Sequence, residues 1–250
     1  VRGNKHWKGG HEVGEKSIVV NFLGLNFNIT NCFSGTLVAI AIFGLVYWLS
    51  GQVCLKPGKK QNFLEAIIDF TNGIVKNNVS DSEVQSKLSL YAFTLFLFIF
   101  FMNQLGLFLE VKINDQILVK SPTASPLITM TMAMMTLLLS YHFGIKKFGA
   151  KGFIANYAKP VGFLLPINVI EEFTNFLTLS LRLYGNIYAG EVLLNLIGEH
   201  LAKSAGWATI FASVPLTMIW QGFSIFIGSI QAYVFVTLSM VYINKKVMEE

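Results

Sequence analysis

Charge is scarce in this sequence. Of its 250 residues only 13% are Asp, Glu, Lys or Arg, whereas 53% are apolar and the mean hydropathy is +0.56. A soluble domain carries about 25% charged residues. Too few are present to cover a water-facing surface of this size, which excludes a soluble enzyme. Cysteine is nearly missing as well. Cys32 and Cys54 flank the first apolar run, and a helix between them would hold them about 33 Å apart at about 1.5 Å per residue. They form no disulfide with each other, and their spacing offers no metal site. No phosphate loop is found either: Glu15 follows Gly14 where such a loop needs lysine, and no strand precedes it, so neither a nucleotide site nor a cofactor is expected. The sequons at Asn28 and Asn78 are chance-frequency matches. The formal charge is +5, but the 19 basic residues stand singly or in pairs with no patch or stripe, so no nucleic-acid partner is expected.

What the sequence has is long apolar runs, with 22 Phe among them. Short alternating strands of a membrane barrel are not seen, so helices carry the spans. The expected fold is an all-α integral membrane protein with about five membrane-crossing helices, two of them long and strongly tilted, plus one interfacial amphipathic helix. The first run, 32–50, closes on Tyr47 and Trp48, an aromatic pair suited to a membrane interface. The tail before it, 1–31, has no cleavable-signal pattern. Within 51–87, a helix over 61–76 places Phe63, Ile67, Phe70 and Ile74 on one side and Glu65, Asp69, Asn72 and Lys76 opposite. It reads as a membrane-surface helix, since no soluble domain surrounds it.

A two-span hairpin, 88–145, comprises runs 88–109 and 127–145, each near the about 20 residues a crossing needs; the turn between them carries Asp115, Ser121, Pro122 and Pro126. A loop, 146–160, leads to the helix pair 161–250. Its two stretches, 161–198 and 207–243, would be roughly 56 Å long as continuous helices, nearly twice the hydrocarbon thickness. They must tilt or break, and Gly162, Pro166, Gly185, Gly190, Gly222 and Gly228 provide places to bend. Segments 51–87, 146–160 and 244–250 hold 5, 4 and 2 basic residues, against 4, 2 and 1 in 1–31, 110–126 and 199–206. The richer set is expected on the cytoplasmic side, with the N-terminus outside and the C-terminus inside.

Arg182 lies near the middle of the stretch 161–198. A central arginine costs about 2.5–3.5 kcal/mol even on the mildest insertion scale, and marks a functional site. It is too far from either end to snorkel, and no carboxylate stands three or four residues away. Glu171, Asn175, Thr178, Arg182 and Asn186 follow at intervals of 4, 3, 4 and 4, forming one polar stripe that faces something other than lipid. Glu191 is nine residues past Arg182, on the opposite face. Proton handling and snorkelling to the outer interface both account for it. Gln221, Ser224, Gly228 and Gln231 make a sparser stripe on the last helix. Asn103-Gln104 interrupts the second span, where a helix–helix hydrogen bond serves as well as a function.

The run Leu181-Arg182-Leu183-Tyr184-Gly185-Asn186-Ile187-Tyr188-Ala189-Gly190-Glu191, followed by Gly228-Ser229-Ile230-Gln231-Ala232-Tyr233-Val234-Phe235, resembles the a-subunit family of bacterial F-type ATP synthases. Phe101-Met102-Asn103-Gln104 and the span pattern extend the likeness over most of the chain. The resemblance implies a stator subunit in the bacterial plasma membrane, beside a rotating c-subunit ring, with the b subunits of the peripheral stalk and the rest of the synthase as partners. It implies two tilted helices following the ring, with Arg182 facing the ring carboxylates. Glu191 with Asn103 belongs to an outer half-channel, Gln231 and Asn186 lie beside the arginine, and Glu171, Glu172 and Asn175 mark a cytoplasmic half-channel. Ring rotation is thereby coupled to proton flow; ATP chemistry itself lies elsewhere in the complex. Some relatives place a histidine or carboxylate seven residues before the glutamine. Here that residue is Ser224, so water would bridge where a second titratable group stands in those relatives. The competing reading is a stand-alone secondary transporter or channel, but no internal repeat is found.

Overall fold

A computed structural model of the chain describes residues 19–22, 25–51, 58–108, 111–113, 116–119, 121–157, 165–196 and 207–248. Cys54, Asp115, Gly162, the loop 199–206 and the tail before Val19 lie outside them. Strands β1 (Val19–Phe22) and β2 (Leu25–Asn28) pair antiparallel and precede α1 (Ile29–Leu49), α2 (Lys59–Asn78) and α3 (Ser82–Phe108). A second hairpin, β3 (Val111–Ile113) with β4 (Gln116–Val119), and a 3-10 turn at Pro122–Ala124 lead to α4 (Pro126–Tyr157), α5 (Leu165–Leu196) and α6 (Trp207–Met248). Helices α1, α3, α4 and α6 are long and apolar enough to cross a membrane by composition alone. Helix α5 is also long enough, but it carries the polar stripe. The chain is a multi-pass, helical membrane protein.

Helix α6 is the common partner, packing on α2, α3, α4 and α5. Its buried residues Ala232, Phe235, Val236, Met240, Ile243 and Val247 recur at helical spacing and fill the main core. Against α3 the helices meet at Gly228. A Cβ there would sit 3.4 Å from the Asn103 Cβ and 3.5 Å from the Gln104 amide nitrogen, at ordinary contact distance, so the two helices are closely packed at this point. Helix α1 is attached more narrowly, through Val38 to Met102 and Leu105 of α3. Its Ile40, Phe43, Tyr47 and Trp48 face outward, as a lipid-facing helix requires.

Several boundaries differ from those expected of the sequence. Helix α1 begins three residues before the apolar run because Asn28 caps it, its side chain accepting from the Asn31 N–H at 3.4 Å. Helix α2 extends two residues beyond the expected 61–76 at each end; it buries Thr71, Ile74 and Val75 and leaves Phe63 and Phe70 of its apolar stripe uncovered by the chain. The turn residues Ser121 and Pro122 are buried where the segment meets α1, α3, α4 and α5. The segment 146–160, expected as a loop, is helical to Tyr157 across a sharp break at Gly149, whose φ is +72°. That positive φ suits glycine.

The break folds the end of α4 back so that Phe153 covers Gly144. A Cβ on Gly144 would lie 2.6 Å from the Phe153 ring and 3.3 Å from the Lys246 carbonyl oxygen. Gly144→Ala is therefore expected to destabilise the chain by roughly 1–3 kcal/mol through overpacking. Unfolding in SDS measures the loss, and adding Phe153→Ala recovers part of it.

Beside this corner, the turn between α2 and α3 is tied to its neighbours. Lys147 pairs with Asp81 at 2.8 Å, and the Ser80 N–H donates to the Asn244 side chain at 3.0 Å. Asp81 also accepts from the N–H groups of Glu83 and Val84, capping α3. The Lys147 ammonium, and then the Val84 N–H, hold its carboxyl below the ordinary carboxylate range.

Candidate functional site

Helix α5 buries Leu179, Ser180, Leu183, Ile187 and Gly190 against its neighbours. These recur at one, three and four residues, so the stripe beside them faces outward. Glu171, Thr178, Arg182 and Asn186 are exposed and Asn175 is half-buried. Arg182 makes no ion pair or hydrogen bond among the described residues; its charge is felt at the Tyr242 hydroxyl. Leu181 beside it is exposed, while Thr178 and Asn186 stand one turn to either side, so the arginine lies on a polar stripe with an apolar margin.

One turn on, the Asn186 side-chain amide donates to the Gln231 carbonyl oxygen at 2.9 Å, joining α5 to α6. Gln231 is buried, and its own amide nitrogen has no partner among the described residues. Glu191 is half-buried. Its neighbour Gly190 faces Ser224, whose hydroxyl oxygen would be 3.7 Å from a Cβ at that glycine, and the Trp220 indole donates to the Gly190 carbonyl at 3.4 Å. The α6 side chain facing Gly190 is thus a hydroxyl, a hydrogen-bond donor and acceptor with no charge change near neutral pH.

Asn103 is fully buried. Its amide donates to the Gly228 carbonyl at 3.0 Å and its oxygen accepts from the Thr123 hydroxyl at 3.0 Å, which meets Ser121 at 2.8 Å. Gln104 donates to the Ile225 carbonyl at 3.2 Å. Of the two accounts of Asn103-Gln104, the helix–helix bond is the one with partners in place.

Glu171, Glu172 and Asn175 come together at the other end of α5, lining a cavity of about 50 Å³ between α4, α5 and α6. A single water needs about 10–15 Å³ by this kind of measure, so several fit. Thr136, Ser140, Asn168 and Tyr242 add polar groups to its wall. Lys245 pairs with Glu171 at 2.7 Å and Lys246 with Glu172 at 3.4 Å. In the sequence these lysines register only as basic charge near the C-terminus. A pair 74 residues apart, such as Glu171 with Lys245, leaves no periodic signal.

The arrangement offers an exposed cation at mid-helix, a half-buried carboxylate nine residues to one side and a polar cavity with two carboxylates to the other. A sequence profile of the ATP synthase A chain family matches residues 32–244. A protein of Pediococcus pentosaceus described as ATP synthase subunit a is 50% identical over 238 residues, covering 95% of this chain and 99% of its own length. Proteins of the same description from Limosilactobacillus fermentum and Enterococcus hirae are 49% and 47% identical, over 95% and 94% of this chain and 100% and 99% of their own lengths.

Proposed function

The chain belongs to the ATP synthase A chain family, and from that premise we propose that it is the stator subunit through which protons reach and leave a c-subunit ring. The observation that carries this reading is the exposure of Arg182, unpaired among the described residues, at the middle of an apolar-flanked helix. Against lipid such a cation costs about 2.5–3.5 kcal/mol or more. A partner bearing negative charge within the membrane removes that cost, and ring carboxylates are such a partner. A transporter or channel acting alone would have to satisfy this arginine within its own chain.

A proton enters through the outer half-channel, past Glu191, and neutralises a ring carboxylate, which can then face lipid and be carried round. Arg182 favours the ionised form of whichever carboxylate stands opposite it. It therefore releases the proton on the other side and blocks direct passage between the two paths. Asn186 and Gln231 hold the two helices in register beside it. Glu171, Glu172, Asn175 and the water-sized cavity form the cytoplasmic path. Asn103, with its hydrogen bonds committed to Gly228 and Thr123, sets the position of α6 next to the outer path. In this reading the N-terminus is outside the plasma membrane, the C-terminus is cytoplasmic, and the b subunits of the stalk hold the chain against the ring.

Single cysteines test the offset in the assembled complex, in a background lacking Cys32 and Cys54. One at Glu191 reacts with a small thiol reagent supplied outside. Those at Glu171 and Glu172 react from the cytoplasmic side, and one at the buried Leu183 reacts from neither. Reaction of all the polar positions from one side would mean a continuous pore and refute the stator reading.

A further inference from the structure

Lys245 and Lys246 are consecutive, yet the helix turns them about 100° apart and their surroundings differ. The Lys245–Glu171 pair is open to solvent, its side chains 46% and 48% exposed; the Lys246–Glu172 pair is enclosed, at 11% and 17%. An exposed pair contributes little. An enclosed one costs desolvation on both charges and is stable only where the groups are held in place. Lys246 is so held: Ile243 and Val247 beside it are fully buried, and its carbonyl oxygen rests against the bare Gly144 of α4. Both carboxylates and both lysines line the same cavity, whose wall includes Ser140, its hydroxyl bonded to the Tyr242 carbonyl at 3.1 Å.

We propose that Lys246 is a positioning residue of the cytoplasmic proton path: it holds the Glu172 carboxylate at the cavity wall, where that group takes up and hands on protons, while Lys245 serves only the rim. The inference rests on the half-channel reading of the cavity. It goes further in separating two adjacent lysines by role and in making the location of the Glu172 carboxylate, as well as its charge, a determinant of flux.

The test is ATP-driven proton pumping by the whole synthase in vesicles, normalised to assembled complex. Lys246→Gln lowers the rate about tenfold, within the range of coupling between contacting residues, and has no further effect in a Glu172→Gln background. Lys246→Arg, which keeps the pair, stays near wild type, and Lys245→Gln stays within about twofold, as expected of an exposed pair. Glu172→Asp keeps both charges but withdraws the carboxylate by one methylene, so it falls with Lys246→Gln and carries the test if the glutamine variant does not assemble. Wild-type pumping by Lys246→Gln or by Glu172→Asp overturns the inference, as does an equal Lys246→Gln loss in both backgrounds. Wild-type pumping by Glu172→Gln overturns the half-channel assignment instead.

Discussion

Replacing Arg182 by alanine lowers ATP-driven proton pumping and ion-driven synthesis by about 10²- to 10³-fold or more, the scale of losing a preorganised electrostatic group, while the complex still assembles. Assembly survives because Arg182 is exposed and makes no hydrogen bond or ion pair among the described residues, whereas the buried residues Leu179, Leu183 and Ile187 carry the packing of α5. On the stator proposal, coupling fails because the cation that would favour an ionised ring carboxylate is gone, so passive leak is expected to rise as pumping falls. Lysine does not substitute. Its ammonium is a compact, strongly hydrated charge without the planar fork of guanidinium. Synthesis rates and leak in matched vesicles check both variants, and a lysine variant with normal synthesis would remove Arg182 from the role given to it here.

The second large effect is at Glu191. Glu191→Gln is expected to slow proton flux by about 10²-fold, the lower end of what a positioned acid–base group contributes. Glu191→Asp keeps a titratable carboxyl and loses less. The effect is large because the glutamine amide cannot take up and release a proton near neutral pH, and the α6 residue facing Gly190, Ser224, carries a hydroxyl. Initial flux at equal amounts of assembled protein distinguishes the two variants. A glutamine variant as fast as wild type would leave Glu191 as an interfacial side chain with no part in transfer.

The helices are legible in the sequence because each announces itself within its own segment. Apolar runs mark α1, α3, α4 and α6, and the opposition of Phe63 and Phe70 to Glu65 and Asp69 marks α2. Arg182 and its stripe are legible for the same reason, since a helical repeat of 4, 3, 4 and 4 is a local property. The two hairpins are not, because strands of three and four residues are too short to show alternation. The extension of α4 past Ile145 is hidden by Lys146, Lys147 and Gly149, which read as a loop and prove to be a helix, a break and a second helix. The partners of Asn103 and the two ion pairs of α6 are out of reach for another reason: each joins residues brought together only by packing.

The exposed face of α5 bears on how the protein is made as well as on how it works. A chain newly inserted and not yet docked holds Arg182 towards hydrocarbon, at a cost of about 2.5–3.5 kcal/mol or more, a large part of the 5–15 kcal/mol that typically separates folded from unfolded proteins. The orphan subunit is therefore its least stable form, and docking makes it durable. On the stator proposal, chain produced in excess of its docking sites is expected to be short-lived, so the same arginine would bear both on the stoichiometry of the assembly and on its proton path.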